Sequence, residues 1–185
     1  MDILIVIYFL SVIAFLSFVY FLSKTTMGKG RSGEKVVSEV LSKLDRSDYL
    51  ILNNLKVGKY QIDHIVISIY GIFIIETKNW SGIIYGRGWD YKWKQFIKGK
   101  NGAISFPKNP IYQNRGHLYA IQKILPEYVD LPLTPIIVVS GELERHIYKD
   151  PCIKISQLPE EILSHKEPLL SFEVRNEIYE KLSKL

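Results

Sequence analysis

The chain has 185 residues, 47% of them apolar, and a formal net charge of +5. That length allows one globular domain plus an anchor, and the modest basic excess favours a polyanionic partner. A single cysteine, Cys152, excludes an internal disulfide and any cysteine-based zinc site, and the four histidines His64, His117, His146 and His165 show no metal-ligand spacing among themselves.

Ile3 to Leu22 contains no charged residue, and a helix of ~20 apolar residues is long enough to span a bilayer. Its start, Met1-Asp2, lacks the basic residues of a cleaved signal, and its end, Val19-Tyr20-Phe21-Leu22, lacks the small residues of a cleavage site. Residues 1–23 are therefore expected to form an uncleaved, single-pass anchor in the cell membrane. Lys24, Lys29, Arg31 and Lys35 follow the run and nothing basic precedes it. The positive-inside rule then places the C-terminal domain in the cytoplasm. The same basic residues suit anionic lipid head groups, so a lipid-facing scaffold is a weaker alternative. Residues 24–31 read as a polar linker.

A helix is expected from Ser32, a suitable N-cap, with Val36, Val37, Val40, Leu41 and Leu44 as its apolar stripe. Glu34 lies at the edge of that stripe. Tyr49 to Leu55 reads as a first strand. Gln61 to Ser68 and Ile72 to Lys78 read as a hairpin, and both arms carry charge inside apolar runs. Asp63 interrupts the first arm, whereas Glu76 and Lys78 close the second. A two-residue loop at Ile69-Tyr70 sets Asp63 opposite Glu76, and one at Tyr70-Gly71 sets it opposite Lys78. In either register period-2 alternation puts all three on one face, with Gln61 beside Asp63 and His64 facing away. A carboxylate buried without a partner is costly. Two carboxylates and a lysine converging on an apolar sheet therefore suggest a metal site, with an inert ion pair as the alternative.

Gly82 to Tyr85 and Tyr91 to Ile97 read as further strands. Asn109-Pro110 opens a helix that runs to about Leu125, with Asn as N-cap and Pro at the first position. Ile111, Leu118, Ile121 and Leu125 make its expected core stripe, and Gln113 and His117 share a neighbouring face. Pro135 to Val139 reads as a buried parallel strand, Cys152 to Ile155 as an edge strand, and Leu158 to Ser164 and Phe172 to Leu185 as helices. Arg87, Lys92, Lys94, Lys98, Lys100, Lys108 and Arg115 are interleaved with Trp80, Tyr85, Trp89, Tyr91 and Trp93. The cations suit a phosphate backbone; the tryptophans read mostly as core.

Several blocks of this chain, in order, resemble the nuclease-related domain (NERD) branch of the PD-(D/E)xK superfamily. They are Gly30-Arg31-Ser32-Gly33-Glu34, Gln61-Ile62-Asp63-His64, Gly71-Ile72-Phe73, Glu76-Thr77-Lys78-Asn79-Trp80-Ser81-Gly82, Asn109-Pro110-Ile111 and Gln113-Asn114. The proline of the superfamily pattern is absent. The resemblance implies an α/β fold with a restriction-endonuclease-like core, a central mixed sheet flanked by helices, over residues 32–145. Residues 146–185 are expected to pack on it as an extension. It also implies a nuclease that hydrolyses phosphodiester bonds in DNA, with RNA as a second candidate. Mg²⁺ or Mn²⁺ would be held by Asp63, Glu76 and the Thr77 carbonyl. Lys78, Glu34 and Gln61 would complete the catalytic set, with Gln113 joining Arg87, Lys92, Lys94, Lys108 and Arg115 on the nucleic acid. A catalytically silent, membrane-tethered binding or interaction module is the alternative reading.

Overall fold

The computed structural model describes residues 33–97, 102–128 and 130–185. A helix over 33–41 (α1) leads into β1 (Leu50–Val57), β2 (Tyr60–Ser68), β3 (Gly71–Lys78), β4 (Gly82–Arg87), β5 (Lys94–Phe96) and β6 (Ile104–Ser105). Then follow α2 (Pro110–Ile124), β7 (Leu133–Val139), β8 (Leu143–Tyr148), β9 (Cys152–Lys154), α3 (Leu158–Leu163) and α4 (Phe172–Ser183). The expected anchor, the linker 24–31, Ser32, Lys98 and Lys100 lie outside the described residues. Among the described residues no helix is long and apolar enough to cross a membrane.

The main sheet has the order β1-β2-β3-β7-β9, with β1, β2 and β3 antiparallel and β7 and β9 parallel to β3. Val37, Leu41 and Leu44 of α1 and its following turn, with Leu158 and Ile162 of α3, bury one face against Val66, Phe73 and Ile75. Ala120, Ile121 and Leu125 from α2 and its C-cap, with Ile178 and Leu182 of α4, bury the other against Ile65, Ile67, Ile72 and Ile74. Helices thus cover both faces of a mixed sheet, which fits a nuclease-like core. Val36, expected in the α1 stripe, is exposed.

A second sheet of order β6-β5-β4-β8 continues the first. Lys78 pairs with Val139 and Gly82 pairs with Leu143, so β3 and β7 leave the main sheet together and re-pair as β4 and β8 in unchanged register. At the corner a Cβ on Gly141 would lie 2.0 Å from the Trp80 carbonyl oxygen, so only glycine permits this crossing. Ile84, Trp93, Ile137, Val139 and Cys152 fill the smaller core at this junction.

The C-terminal segment braces the hairpin. The Leu169 and Leu170 amides both donate to the Ile69 carbonyl, at 2.7 and 2.9 Å. The buried guanidinium of Arg175 on α4 donates to the Ser47 carbonyl at 2.5 Å and the Asp48 carbonyl at 3.3 Å. Residues 146–185 therefore lie within the same compact unit as the strands, Gly33–Leu185. Strand β8 was not expected from sequence, because its alternating Leu-Glu-Arg-His-Ile-Tyr pattern is only half-buried.

Candidate active site

The β2–β3 turn closes with Ser68 opposite Gly71, leaving Ile69-Tyr70 as the loop. This is the register that sets Asp63 opposite Glu76. Pairing runs only as far as His64 and Ile75. Beyond it the Asp63 carboxylate takes the place of a backbone partner, and its Oδ2 accepts from the Thr77 amide at 2.8 Å. The amide and carbonyl of one strand residue point to the same edge, so the Thr77 carbonyl is also directed toward Asp63.

Glu76 follows Ile72 and Ile74 onto the α2 face, where its side chain is 2% exposed. Its Oε1 accepts from the Lys78 ammonium at 2.5 Å. Lys78 donates a second bond to Gln113 Oε1 on α2, at 2.9 Å. The other Glu76 oxygen, Oε2, is buried with no hydrogen-bond donor and lies 3.6 Å from Nδ1 of His117, itself buried and unpartnered. The edge of one ring meets the face of the other between Tyr60 and His117, 6.0 Å apart.

Two side-chain tethers place α2 over these groups. Asn109, the N-cap, accepts from the Ile111 amide and donates to the carbonyls of Gly88 and Asp90 at 2.9 and 2.8 Å. Asn114 is buried and donates to the carbonyls of Ile74 on β3 and Ile136 on β7, at 3.0 and 3.1 Å. With Asn114 fixed, Gln113 and His117 lie on the neighbouring helix face and meet Lys78 and Glu76. The expected core stripe packs as read, with Ile121 and Leu125 buried and Leu118 and Ile111 against the cores, and Asn114, His117 and Ala120 are buried beside it.

Burial pushes the Glu76 carboxyl up to about 7; Lys78 opposes the shift, and Asp63 and Glu34 add to it. Burial also raises Asp63, against the Thr77 hydrogen bond and with a further push from Glu34. Glu34 on α1 thus joins the same electrostatic cluster. Its helix begins against the sheet corner, since a Cβ on Gly33 would lie 2.5 Å from Ser140 Oγ and 3.0 Å from Asn79 Cβ. Burial, aided by the Lys78 charge, brings His117 down to about 4, and the ring is neutral at pH 7.

Gln61 does not join this cluster. It is exposed, and its side chain donates to Asn54 Oδ1 at 3.4 Å. Asn54 has a left-handed backbone, φ 55°, where the β1–β2 ladder skips the pair with Asp63. Both strands change faces there: Leu50, Leu52, Ile65 and Ile67 pack on the α2 side at one side of the break, and Leu55, Val57 and Ile62 at the other. Simple alternation therefore misplaces Gln61. His64 does face away, its Nδ1–H donating to Asn53 Oδ1 at 2.7 Å, and burial lowers its pKa to about 4.

The basic residues lie around the second sheet and the start of α2. Lys92 and Lys108 face each other across an isolated bridge. Arg87, Lys94, Lys108 and Arg115 each sit over an aromatic ring, respectively Trp89, Phe96, Tyr91 and Tyr112. Of the tryptophans only Trp93 is fully buried, and Trp89, expected in the core, is 52% exposed.

The nuclease-related domain family matches residues 29–140 of the chain. An uncharacterized protein of Bacillus anthracis is 41% identical over 104 residues, which cover 54% of this chain and 48% of the relative. The chain thus spans about half the length of the curated relative it matches. No solved structure matches. The family match encloses Glu34, Asp63, Glu76, Lys78 and Gln113 and extends over more than half of the sequence, so the chain belongs to the nuclease-related domain family.

Proposed function

We propose that this protein is a metal-dependent nuclease that hydrolyses phosphodiester bonds in DNA. The observation that carries the reading is the Glu76 carboxylate, buried with one oxygen on Lys78 and the other without a donor, beside the raised carboxyl of Asp63. An orphaned carboxylate oxygen next to a second carboxylate fits a hard dication, which takes one or two carboxylates and completes its shell with water and substrate oxygens. Among the described residues no group of three or more His, Cys, Asp and Glu is arranged to hold a metal. Asp63, Glu76 and the Thr77 carbonyl are the residues that would hold Mg²⁺ or Mn²⁺. The bound ion supplies a lowered water pKa and neutralises charge on the phosphate.

The remaining groups have separable tasks. Lys78 presents its ammonium at the mouth of the site, 19% exposed, while Glu76 and Gln113 fix its direction. From there it orients the attacking water or offsets charge on the phosphate oxygens. His117, neutral and buried, closes the floor behind Glu76 and excludes water there. Glu34 adds negative charge that strengthens the hold on a cation. Arg87, Lys92, Lys94, Lys108 and Arg115 would track the phosphate backbone without reading sequence.

The test incubates the full chain with linear, circular and single-stranded DNA and Mg²⁺ or Mn²⁺. Cleavage that disappears in Glu76→Ala and Lys78→Ala supports the reading; cleavage that both variants retain overturns it. The short Lys78–Glu76 contact favours a second reading, a catalytically silent module in which the pair is closed. Salt-sensitive DNA binding without products under every metal would establish it.

The uncharged run from Ile3 to Leu22 supports tethering to the cell membrane with the C-terminal domain in the cytoplasm. Retention in the membrane pellet after alkaline extraction supports this; release into the supernatant overturns it.

A further inference from the structure

The geometry points to an aromatic platform that binds single-stranded DNA by base stacking beside the active site. This rests on the nuclease reading for its biological sense but not for its chemistry. Trp89, Tyr91, Tyr112 and Tyr148 are 52%, 54%, 37% and 61% exposed. A soluble surface ordinarily hides such rings or scatters them singly. Here they form two edge-to-face pairs, Trp89 with Tyr148 at 5.5 Å and Tyr91 with Tyr112 at 5.6 Å. The pairs are joined through the short 89–91 segment and by the Tyr112 hydroxyl, which donates to the Trp89 carbonyl at 2.8 Å.

Each of the four rings carries a cation. Arg87 lies 5.6 Å from the Trp89 centroid, Lys108 5.6 Å from Tyr91, Arg115 5.5 Å from Tyr112 and Lys149 5.9 Å from Tyr148. Asp90 sits among them in an ion pair with Arg87 at 3.2 Å. Alternating rings and cations match the alternating bases and phosphates of an unpaired strand. A duplex keeps its bases stacked inside and offers these rings no faces.

The platform is also rigid and close to the chemistry. Asn109 ties the loop at the Gly88 and Asp90 carbonyls, and the Gly88 amide donates to the Tyr148 carbonyl at 2.8 Å. Tyr112 immediately precedes Gln113, which holds Lys78. A strand laid across the rings would therefore lead to the site along the first turn of α2. Of the three tryptophans, Trp93 is buried at 1% exposure and Trp80 is half-buried, so Trp89 is the fluorophore a base would quench.

The experiment uses the full chain in EDTA, where cleavage plays no part. Fluorescence anisotropy compares a labelled thymidine 20-mer, an abasic strand of equal length and charge, and a duplex. Tighter binding of the 20-mer than of the other two, with quenching of tryptophan emission, is expected. Trp89→Ala should weaken 20-mer binding about tenfold and leave abasic binding unchanged, which also reports that the variant is folded. Trp89→Phe should restore most of the affinity without the quench. Equal affinity for the abasic strand, tighter duplex binding, or a Trp89→Ala loss shared by both strands would overturn the platform. Cleavage assays on the same preparations judge the nuclease reading separately, since a chain that binds but never cuts leaves the platform standing.

Discussion

Replacing Glu76 by glutamine should stabilise the metal-free protein in alkaline buffer. Glu76 is buried, with Lys78 on one oxygen and only an unpartnered ring nitrogen of His117 near the other. Its carboxyl moves from the ordinary 4.5 to about 7 because burial disfavours the charge more than Lys78 favours it. Below about pH 4.5 both folded and unfolded chains carry the proton, and the group costs nothing. Between about 4.5 and 7 the unfolded chain gives up its proton while the folded chain keeps it. Stability therefore falls as pH rises through this window, and the loss is complete above about pH 7. At roughly 1.36 kcal/mol per pK unit the full loss is about 3 kcal/mol. Glutamine cannot ionise, keeps an acceptor for Lys78, and sets its amide against the His117 nitrogen. Urea unfolding in EDTA at pH 5 and pH 8 should show wild type losing about 2.5 kcal/mol relative to the variant, the rest of the loss having been taken below pH 5. Asp63 is coupled to Glu76, so the difference between the two profiles belongs to the carboxylate pair. Parallel pH profiles for the two proteins would refute the reasoning.

Four further outcomes follow from the same structure. Asn114→Ala removes both donors from the Ile74 and Ile136 carbonyls, so it should lower the unfolding free energy by about 2–3 kcal/mol and reduce cleavage more than substrate binding, because Gln113 and His117 lose their placement. Arg175→Met should cost about 2 kcal/mol in urea unfolding, since the carbonyls of Ser47 and Asp48 lose their buried donor. Gly141→Ala drives a methyl into the Trp80 carbonyl and should destabilise by ~2 kcal/mol or more, read as a lower thermal midpoint. Cys152 is buried, and burial pushes its thiol well above the ordinary range. It should resist a thiol reagent in the folded protein and react only on unfolding.

The hairpin was legible because Ile72 to Ile75 and Ile65 to Ile67 are apolar on both faces and flank a two-residue turn. Either two-residue loop puts Asp63 on the face of Glu76 and Lys78, so their meeting was legible, but the choice of Ile69-Tyr70 over Tyr70-Gly71 was made only by the fold. The start of α2 was legible because Asn109-Pro110 carries its own cap chemistry. Gln61 was misplaced because one left-handed residue on the neighbouring strand, Asn54, turns both strands over. Asparagine tolerates that conformation, but nothing in the sequence requires it there. His117 was seen on the face of Gln113, yet its approach to Glu76 depends on where Asn114 docks the helix, which is a tertiary event. Trp89 and Trp93 look alike in sequence, and only the fold of the second sheet exposes one and buries the other.

Metal uptake itself is the most direct measure of the central claim. Mn²⁺ titrated into the full chain, with free ion followed by electron paramagnetic resonance, should show saturable binding that Mg²⁺ displaces. The Asp63→Asn, Glu76→Gln double variant should leave the added Mn²⁺ free. No uptake by the wild-type chain, or equal uptake by the double variant, would contradict the account.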